Sequence, residues 1–356
     1  MRRVVVKIGS SSLTDAAGRI EPPKLWAIAR ACLSLNAEVT LVSSGAVAAG
    51  RGVLGAGKPA TLPHKQALAA IGQAVLMQEW ARAFAPKPVA QILLSADDVQ
   101  ARGRFVNAKH ALERVLKLGA VPIVNENDTV ATAELRVGDN DTLSAWVAYL
   151  AEADTLLLLT DVDGLYTANP KSDSTARRID VVHDVSDVEH LASGSGSALG
   201  TGGMTTKLRA ARIASEAGVE TVILGGGGAG LEAWSKGENP GTRVLPRRQT
   251  AKRGWLLHAT PRGTLIIDAG AERALKSGKS LLPSGIMRVD GDFSFGDVVR
   301  IDGPSGPLAQ GLTNYAAKDV ERISGRQSAE IVGLLGHHDF DEVVHRNGLV
   351  LLARVH

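Results

Sequence analysis

The segment Thr155-Leu156-Leu157-Leu158-Leu159 contains four consecutive leucines and no charged residue. A strand that is apolar at successive positions is typical of a parallel sheet whose two faces are both covered by helices. Other short, mainly apolar runs alternate with longer helical patterns, and these runs are Val4–Ile8, Val39–Val42, Val121–Val124 and Thr221–Leu224. Such alternation predicts an α/β fold for the first part of the chain, with a three-layer αβα sandwich.

The second part of the chain has a different pattern. A length of 356 residues favours about two domains. Between Pro240 and Pro261 the chain carries basic residues without acidic ones near them, and we interpret this segment as a linker. After it come short β-rich runs separated by turns, at Thr264–Ile267, Ile286–Val289, Asp297–Ile301 and Gly348–Leu352. We therefore expect one domain over residues 1–257 and a small β-barrel domain over residues 262–356.

Charge and cysteine content restrict the partners and the compartment. The formal net charge is only +3, which does not by itself indicate binding to a nucleic acid or a membrane. Residues 262–356 contain 11 basic and 12 acidic side chains, so the charge balance argues against RNA as a partner of the second domain. The single cysteine, Cys32, cannot form an internal disulfide. With no secretory signal and no apolar run of about 18 residues, we expect a cytoplasmic protein without a membrane segment.

Three glycine-containing segments resemble nucleotide-binding motifs, and we reject each of them. Gly50–Gly55 has the spacing of a dinucleotide fingerprint but follows a helical stretch rather than a strand. Gly225–Gly230 follows a strand, but no helix of convincing periodicity is predicted to begin there. Ser277–Ser280 resembles the end of a P-loop, yet Arg273 stands where that motif requires glycine.

Polar clusters follow several of the predicted strands at the point where each strand ends. These clusters are Lys7–Ser10, Ser43–Ala46, Asn125–Asp128, Gly138–Asp141 and Thr160–Asp161. In open α/β sheets, ligands bind beyond the carboxyl ends of the strands. A lone lysine or one polar turn is usually a solvated feature, but recurrence at one edge of a sheet indicates a binding site.

The segment from Gly200 to Lys207 is the most informative single stretch of the sequence. It contains three glycines and three threonines and precedes an amphipathic helix. Glycines allow backbone N–H groups to approach an anion, and a helix N-terminus favours negative charge. Lys207 places a cation inside the first turn of that helix. This pattern predicts a phosphate-binding loop.

Two lysines, glycine-rich anion sites and the absence of a P-loop together favour phosphoryl transfer by an enzyme of another class. The candidate acceptor site has carboxylates and amides but no well-placed histidine to act as a base. A carboxylate acceptor would need none, because it is already ionised at neutral pH. Catalysis would then rest on positioning and charge neutralisation.

These motifs together resemble the amino acid kinase family, in particular its branch with free glutamate as acceptor, and the likeness extends over essentially the whole chain. It is carried by Val5–Ser10, Ser43–Ala46, Asn125–Asp128, Val137–Asp141, Leu159–Asp161, Gly164–Thr167 and Gly200–Lys207. Residues 263–342 resemble a PUA domain. Asn169 departs from the family pattern, which often has Asp there, at a position outside the chemistry.

The resemblance implies phosphorylation of the γ-carboxylate of L-glutamate by ATP with Mg²⁺, the first step of proline synthesis. It implies that Lys7 and Lys207 stabilise the transferring group, that Asp141 holds both lysines, and that the glutamate-binding residues are Ser44, Asp128 and Asn140. The implied nucleotide-binding residues are Lys7, Gly9, Ser10, Thr160, Asp161, Thr201, Gly202, Gly203, Met204, Thr205, Thr206 and Lys207. Feedback inhibition by proline and a homo-oligomer, either a dimer or a tetramer, are implied as well.

Two alternative functions remain open on the sequence. One is a related kinase acting on N-acetylglutamate, aspartate, carbamate or a nucleoside monophosphate, although the Asn125–Asp128 loop and the appended domain favour free glutamate. The other is an RNA-binding protein that acts through its PUA-like domain, against which the charge balance of that domain argues.

Overall fold

The computed structural model describes residues 2–15, 17–95, 98–99, 102–131, 140–170, 172–194, 203–247, 260–336 and 340–352. The chain divides into two compact units, Met1–Arg248 and Gln249–His356. The expected boundary between residues 257 and 262 stays a prediction, since residues 248–259 lie outside the described part of the chain.

The five apolar runs of the first unit all form strands of one sheet, which confirms the α/β prediction. Within the described residues this sheet has eight strands in the order β3-β4-β2-β1-β5-β7-β8-β6. The strands are β1 (Arg2–Ile8), β2 (Ala37–Ser43), β3 (Val89–Leu94), β4 (Val121–Glu126), β5 (Thr155–Leu159), β6 (Val181–Val182), β7 (Glu220–Leu224) and β8 (Gly241–Val244). Neighbouring strands from β3 to β7 are parallel, and β8 runs antiparallel to β7. The carboxyl ends of β4, β2, β1 and β5 therefore lie side by side at one edge.

Helices cover both faces of this sheet. They are α1 (Pro22–Ser34), α2 (Ala46–Leu54), α3 (Leu62–Phe84), α4 (Arg102–Lys117), α5 (Asn140–Leu150), α6 (Met204–Glu216) and α7 (Gly227–Ser235). Alternate residues of β1 belong to different cores: Val4 and Val6 pack with residues of α1 and α3, and Val5 packs with residues of α4, α5 and α6. Side chains alternate across a strand. Lys7 consequently shares the face of Val5, toward α5 and α6.

One glycine of the first rejected motif, Gly50, serves helix packing. Gly50 lies within α2, and a methyl group added to it would lie 2.0 Å from the Leu68 carbonyl oxygen of α3. A methyl group at Gly72 of α3 would lie 1.8 Å from the Ala46 carbonyl oxygen. The backbones of α2 and α3 thus approach each other more closely than any side chain would allow.

The expectation that no helix begins at the second rejected motif is wrong, because α7 starts at Gly227. Gly226 precedes it with a left-handed backbone, φ 77°. A methyl group at Gly228 would lie 2.9 Å from the Ala27 carbonyl oxygen of α1. Small residues that permit close packing take the place of the large apolar residues that a periodicity argument detects.

The second unit is rich in strands, as expected. Its sheet has the order β10-β9-β11-β12-β13 within the described residues. The strands are β9 (Gly263–Ile267), β10 (Ile286–Gly291), β11 (Val298–Gly303), β12 (Gly306–Thr313) and β13 (Val344–Leu351), accompanied by α8 (Ala269–Lys276), α9 (Ala317–Ile323) and α10 (Ile331–Leu335). Gly278 follows the end of α8 with φ 80°, so the P-loop-like residues end a helix rather than begin one. In neither unit is a described helix both long and apolar enough to cross a membrane.

Candidate active site

Two buried lysines share one buried carboxylate at the carboxyl edge of the sheet. Lys7 is on β1, Asp141 is the second residue of α5, and Lys207 is in the first turn of α6. The Lys7 ammonium binds Oδ1 of Asp141, and the Lys207 ammonium lies 3.3 Å from Oδ2. Asp141 is fully buried and each lysine is 6% exposed. The structure therefore brings together the three residues that the sequence marked as catalytic.

The electrostatics of this triad favour an anionic ligand. Burial acts to raise the pKa of Asp141, but the charges of Lys7 and then Lys207 outweigh it, and the pKa lies below the ordinary value of 3.8. Asp141 is accordingly ionised at neutral pH. Two ammonium groups against one carboxylate leave one positive charge uncompensated within the triad. Because unpaired buried charge is costly, an anion such as a phosphoryl group would be bound favourably here.

The helix that carries Lys207 begins at the glycine-rich segment. Gly203 precedes the first turn of α6, which contains Met204, Thr205 and Thr206 as well as Lys207 and no acidic residue. The Thr206 hydroxyl lies 2.7 Å from Oδ2 of Asp141 and 2.8 Å from the Gly203 carbonyl oxygen. The start of the helix is thus joined to the lysine–carboxylate triad. Thr201 and Gly202 lie outside the described residues.

A second group of polar side chains lies beside the triad. The Asn140 side-chain amide, adjacent to Asp141 in α5, donates to Ser44 Oγ at 2.8 Å and to Asn125 Oδ1 at 2.9 Å. Ser44 follows β2 and Asn125 is in β4, so the strand order brings them close. Trp80 of α3 adds support by donating from its indole N–H to Ser43 Oγ at 2.9 Å. Two of the three expected glutamate-binding residues, Ser44 and Asn140, are therefore in direct contact.

The third expected glutamate-binding residue, Asp128, has a neighbour that the sequence did not suggest. Its Oδ1 lies 3.8 Å from the Lys65 ammonium of α3. The same helix supports the end of the loop, where the Gln66 side-chain amide donates to the Ala131 carbonyl at 3.1 Å. Helix α3 thus contacts the loop that follows β4 at more than one point.

The residues expected beside the nucleotide lie at the ends of β1 and β5. Ile8 and Leu159 are paired in the sheet, so the segments that follow them, Gly9–Ser10 and Thr160–Asp161, leave the same edge. A methyl group at Gly9 would lie 3.8 Å from the Lys7 ammonium. The Thr160 hydroxyl donates to Oδ1 of Asp161 at 3.1 Å. These four residues therefore follow two neighbouring strands at the edge of the sheet where Lys7 lies.

The sequence did not single out Gln73 and Lys65 of α3, and it placed Asn125 only within a larger motif. A signal for Gln73 exists, because it is a long polar side chain in a stretch of small and apolar residues. That signal is weak, because the sequence does not show which face of α3 contacts the edge of the sheet.

Comparison with known proteins gives matches to both units. Residues 2–225 match the amino acid kinase family, and residues 263–335 match the PUA domain. The glutamate 5-kinase of Carboxydothermus hydrogenoformans is 50% identical, with 99% of this chain and 98% of that protein covered. The glutamate 5-kinase of Moorella thermoacetica is 48% identical, with 99% and 97% covered. A carbamate kinase from Giardia lamblia bound to AMP-PNP shares the fold at a TM-score of 0.50 and 15% identity, covering 68% of this chain and 98% of that one.

Proposed function

The chain belongs to the amino acid kinase family, and from that premise we propose that it transfers the γ-phosphoryl group of ATP to the γ-carboxylate of L-glutamate. The products are L-glutamyl 5-phosphate and ADP. The similarity to glutamate 5-kinases extends over 99% of the chain, the PUA-like unit included. The observation that carries the chemistry is the placement of Lys7 and Lys207 on the two oxygens of Asp141.

The reaction forms one bond and breaks one. A γ-carboxylate oxygen of glutamate attacks the γ-phosphorus, and the bond from that phosphorus to the β,γ-bridging oxygen breaks, so the electron pair leaves with ADP. No proton has to be removed from the acceptor, which is ionised at neutral pH. Lys7 and Lys207 would stabilise the charge that develops on the transferring group, and Asp141 would keep both ammonium groups at fixed positions.

The nucleotide phosphates would lie against the start of α6, held by backbone N–H groups from Gly203 to Lys207 and by Lys7, with Gly9, Ser10, Thr160 and Asp161 along the β5 side. This assignment also includes Thr201 and Gly202, which lie outside the described residues. A helix N-terminus with a nearby lysine is a favourable phosphate environment. The uncompensated positive charge of the triad would attract the γ-phosphate toward Lys7 and Lys207.

Mg²⁺ would accompany ATP and would neutralise charge on the phosphates when bound. Among the described residues, no three acidic, histidine or cysteine side chains are grouped so as to hold a metal ion by themselves. In proteins Mg²⁺ commonly relies on substrate phosphates, water and one or two carboxylates. Asp161, exposed at the end of β5, is the carboxylate that we propose for this role.

Glutamate would bind beside the triad, at Ser44, Asn140 and Asp128. Ser44 and Asn140 offer a hydroxyl and an amide at the sheet edge, where they can position a carboxylate group. Asp128 offers an anionic partner for the α-ammonium, which would compete with Lys65 for that carboxylate. The acceptor would thus be oriented by groups that do not themselves take part in bond making.

Several wider assignments follow from the family. We propose that the enzyme catalyses the first step of proline biosynthesis in the cytoplasm, that proline inhibits it, and that it acts as a homo-oligomer, a dimer or a tetramer. The single, buried Cys32 agrees with a reducing compartment. The near-neutral charge of the PUA-like unit argues against RNA as its ligand.

The test is a trapping assay with the full chain. ATP, Mg²⁺, L-glutamate and hydroxylamine are incubated with the protein, and an acyl phosphate is converted to a hydroxamate. We expect hydroxamate in an amount that matches the ADP released. Release of ADP without hydroxamate would show ATP hydrolysis rather than carboxylate phosphorylation and would contradict the proposal.

A further inference from the structure

Helix α3 contributes a buried amide to the polar group at the sheet edge. The Asn125 side-chain amide donates to Gln73 Oε1 at 2.9 Å. Asn125 in turn accepts from Asn140, which donates to Ser44 Oγ at 2.8 Å. A continuous set of hydrogen bonds therefore runs from Gln73 to Asn140 and Ser44, two of the three residues that we assign to glutamate binding.

Three hydrogen-bonding partners define the orientation of the Asn125 amide, and Gln73 is the one that accepts from its NH₂ group. Oδ1 of Asn125 accepts from two donors, the Glu126 backbone N–H at 2.9 Å and the Asn140 amide at 2.9 Å. Its NH₂ group must then face α3, where only an acceptor can satisfy it. Gln73 meets this need with its carbonyl oxygen. If Asn125 were turned by 180°, its NH₂ group would face two donors and Asn140 would lose its acceptor.

The Gln73 amide is retained at a cost to stability. Its Nε2 is buried without a hydrogen-bond partner among the described residues, and an unpaired buried donor is unfavourable. A methionine of similar volume would avoid this cost. A residue that served packing alone would not need the amide, so the amide is better explained by the hydrogen bond that it makes.

The neighbouring residue keeps Gln73 in place. Gly72 lets the backbone of α3 contact the first turn of α2, where a methyl group would lie 1.8 Å from the Ala46 carbonyl oxygen. Ala46 comes two positions after Ser44 in the sequence. The same backbone contact thus places Gln73 next to the turn that carries Ser44.

We propose that Gln73 is a positioning residue for glutamate: it holds the Asn125 amide in the one orientation that lets Asn140 and Ser44 face the substrate. This inference rests on the proposed function. The hydrogen bonds of Gln73 lead to the residues that we assign to glutamate and not to those that we assign to the nucleotide phosphates. We therefore expect Gln73 to affect the binding of glutamate and not that of ATP.

The first test compares two variants of the same helix in the full chain. Gln73→Met should raise KM for L-glutamate about tenfold, with KM for ATP within twofold of wild type. Its stability to urea should change little, because one unpaired buried donor replaces another. Gln78→Met, the same substitution at an exposed position of α3, should leave both KM values unchanged. A parallel rise in both KM values, or no rise for glutamate, would overturn the assignment.

Two further measurements separate positioning from a general packing defect. Gln73→Glu keeps an acceptor oxygen toward Asn125, and its KM for glutamate should stay within threefold of wild type. In an Asn125→Ala background, Gln73→Met should have no further effect on KM for glutamate, because the hydrogen bond between Asn125 and Gln73 is already absent. Equal effects in the two backgrounds, or a Glu variant as impaired as the Met variant, would reject the mechanism. If wild type itself does not phosphorylate glutamate, the proposed function fails instead.

Discussion

The Lys207 ammonium and the Asp141 carboxylate lie 3.3 Å apart although 66 residues separate them in the chain. Each is in the first turn of its own helix, α6 or α5, and both helices pack on the face of the sheet toward which Lys7 points. A cation in the first turn of a helix is unfavourable by itself, because the helix N-terminus is already positive. Asp141 offsets that penalty, and in the mechanism that we propose Lys207 then interacts with the incoming phosphoryl group.

Lys207→Met should lower kcat about 10²- to 10³-fold, because one preorganised group that stabilises the transition state is lost. Asp141 would keep Lys7 as its partner, so the protein should remain folded. Steady-state kinetics and circular dichroism measure the two effects. Lys87→Met, at an exposed position without an ion pair among the described residues, is the control. A kcat near that of wild type would exclude the proposed role of Lys207.

Asp141→Asn should reduce both activity and stability. Two buried ammonium groups would face each other without their shared anion, and breaking a buried ion pair of this kind costs about 3–5 kcal/mol. Urea unfolding at pH 7 measures the loss of stability, and the hydroxamate assay measures the loss of turnover. Unchanged stability would contradict the assignment of Asp141 as the shared anion of the two buried lysines.

The difference in stability between wild type and Asp141→Asn should depend on pH. The pKa of Asp141 is lowered from 3.8 in the folded protein, so its contribution to stability is fully present above that value and is lost as the pH falls through the lower, folded pKa. Protonated Asp141 resembles Asn in charge. The stability difference between wild type and Asp141→Asn should therefore shrink when urea unfolding is repeated at pH values below about 3.8. A constant difference down to the acid limit would contradict this account.

A protein consisting of residues 1–257 should phosphorylate glutamate without the second unit. All proposed catalytic and binding residues precede the break between the two compact units. The first unit has its own cores on both faces of its sheet. Full-length and truncated proteins can be compared by kcat/KM for glutamate. A truncated protein that is folded but inactive would show that the second unit completes the site.

The enzyme should prefer L-glutamate strongly over N-acetylglutamate. The acetylated analogue lacks the α-ammonium that we propose as the partner of Asp128, and the loss of a charged partner in a recognition site produces steep rejection. Asp128→Asn should raise KM for glutamate far more than KM for ATP. Competition experiments with both substrates measure the preference. Equal kcat/KM values in the wild-type protein would favour the N-acetylglutamate alternative.

Local sequence patterns were sufficient for most of the first unit. The four leucines of β5 and the valines of β1 predicted buried parallel strands correctly, because continuous burial on both faces requires apolar residues at successive positions. The same reasoning missed β3, β6 and β8, and it wrongly excluded α7. Strand β8 pairs with β7 in the first sheet, so the first residues of the segment interpreted as a linker belong to the first unit. Helix α7 packs against α1 through Gly228, which contacts the backbone of Ala27. Because glycine has no side chain, such a contact does not contribute to a hydrophobic periodicity in the sequence.

The sequence alone determined the five apolar strands of the first unit and the polar groups that follow them, because both depend on residues close together in the chain. Only the tertiary structure decided which of those groups meet. The strand order β4-β2-β1-β5 brings Asn125, Ser44 and Lys7 to neighbouring positions, and the packing of α3 adds Gln73. Strand order is set by crossovers and by the burial of whole faces, neither of which a local pattern records. The lowered pKa of Asp141 is a property of the folded state for the same reason, since both of the lysines that cause it are distant in sequence.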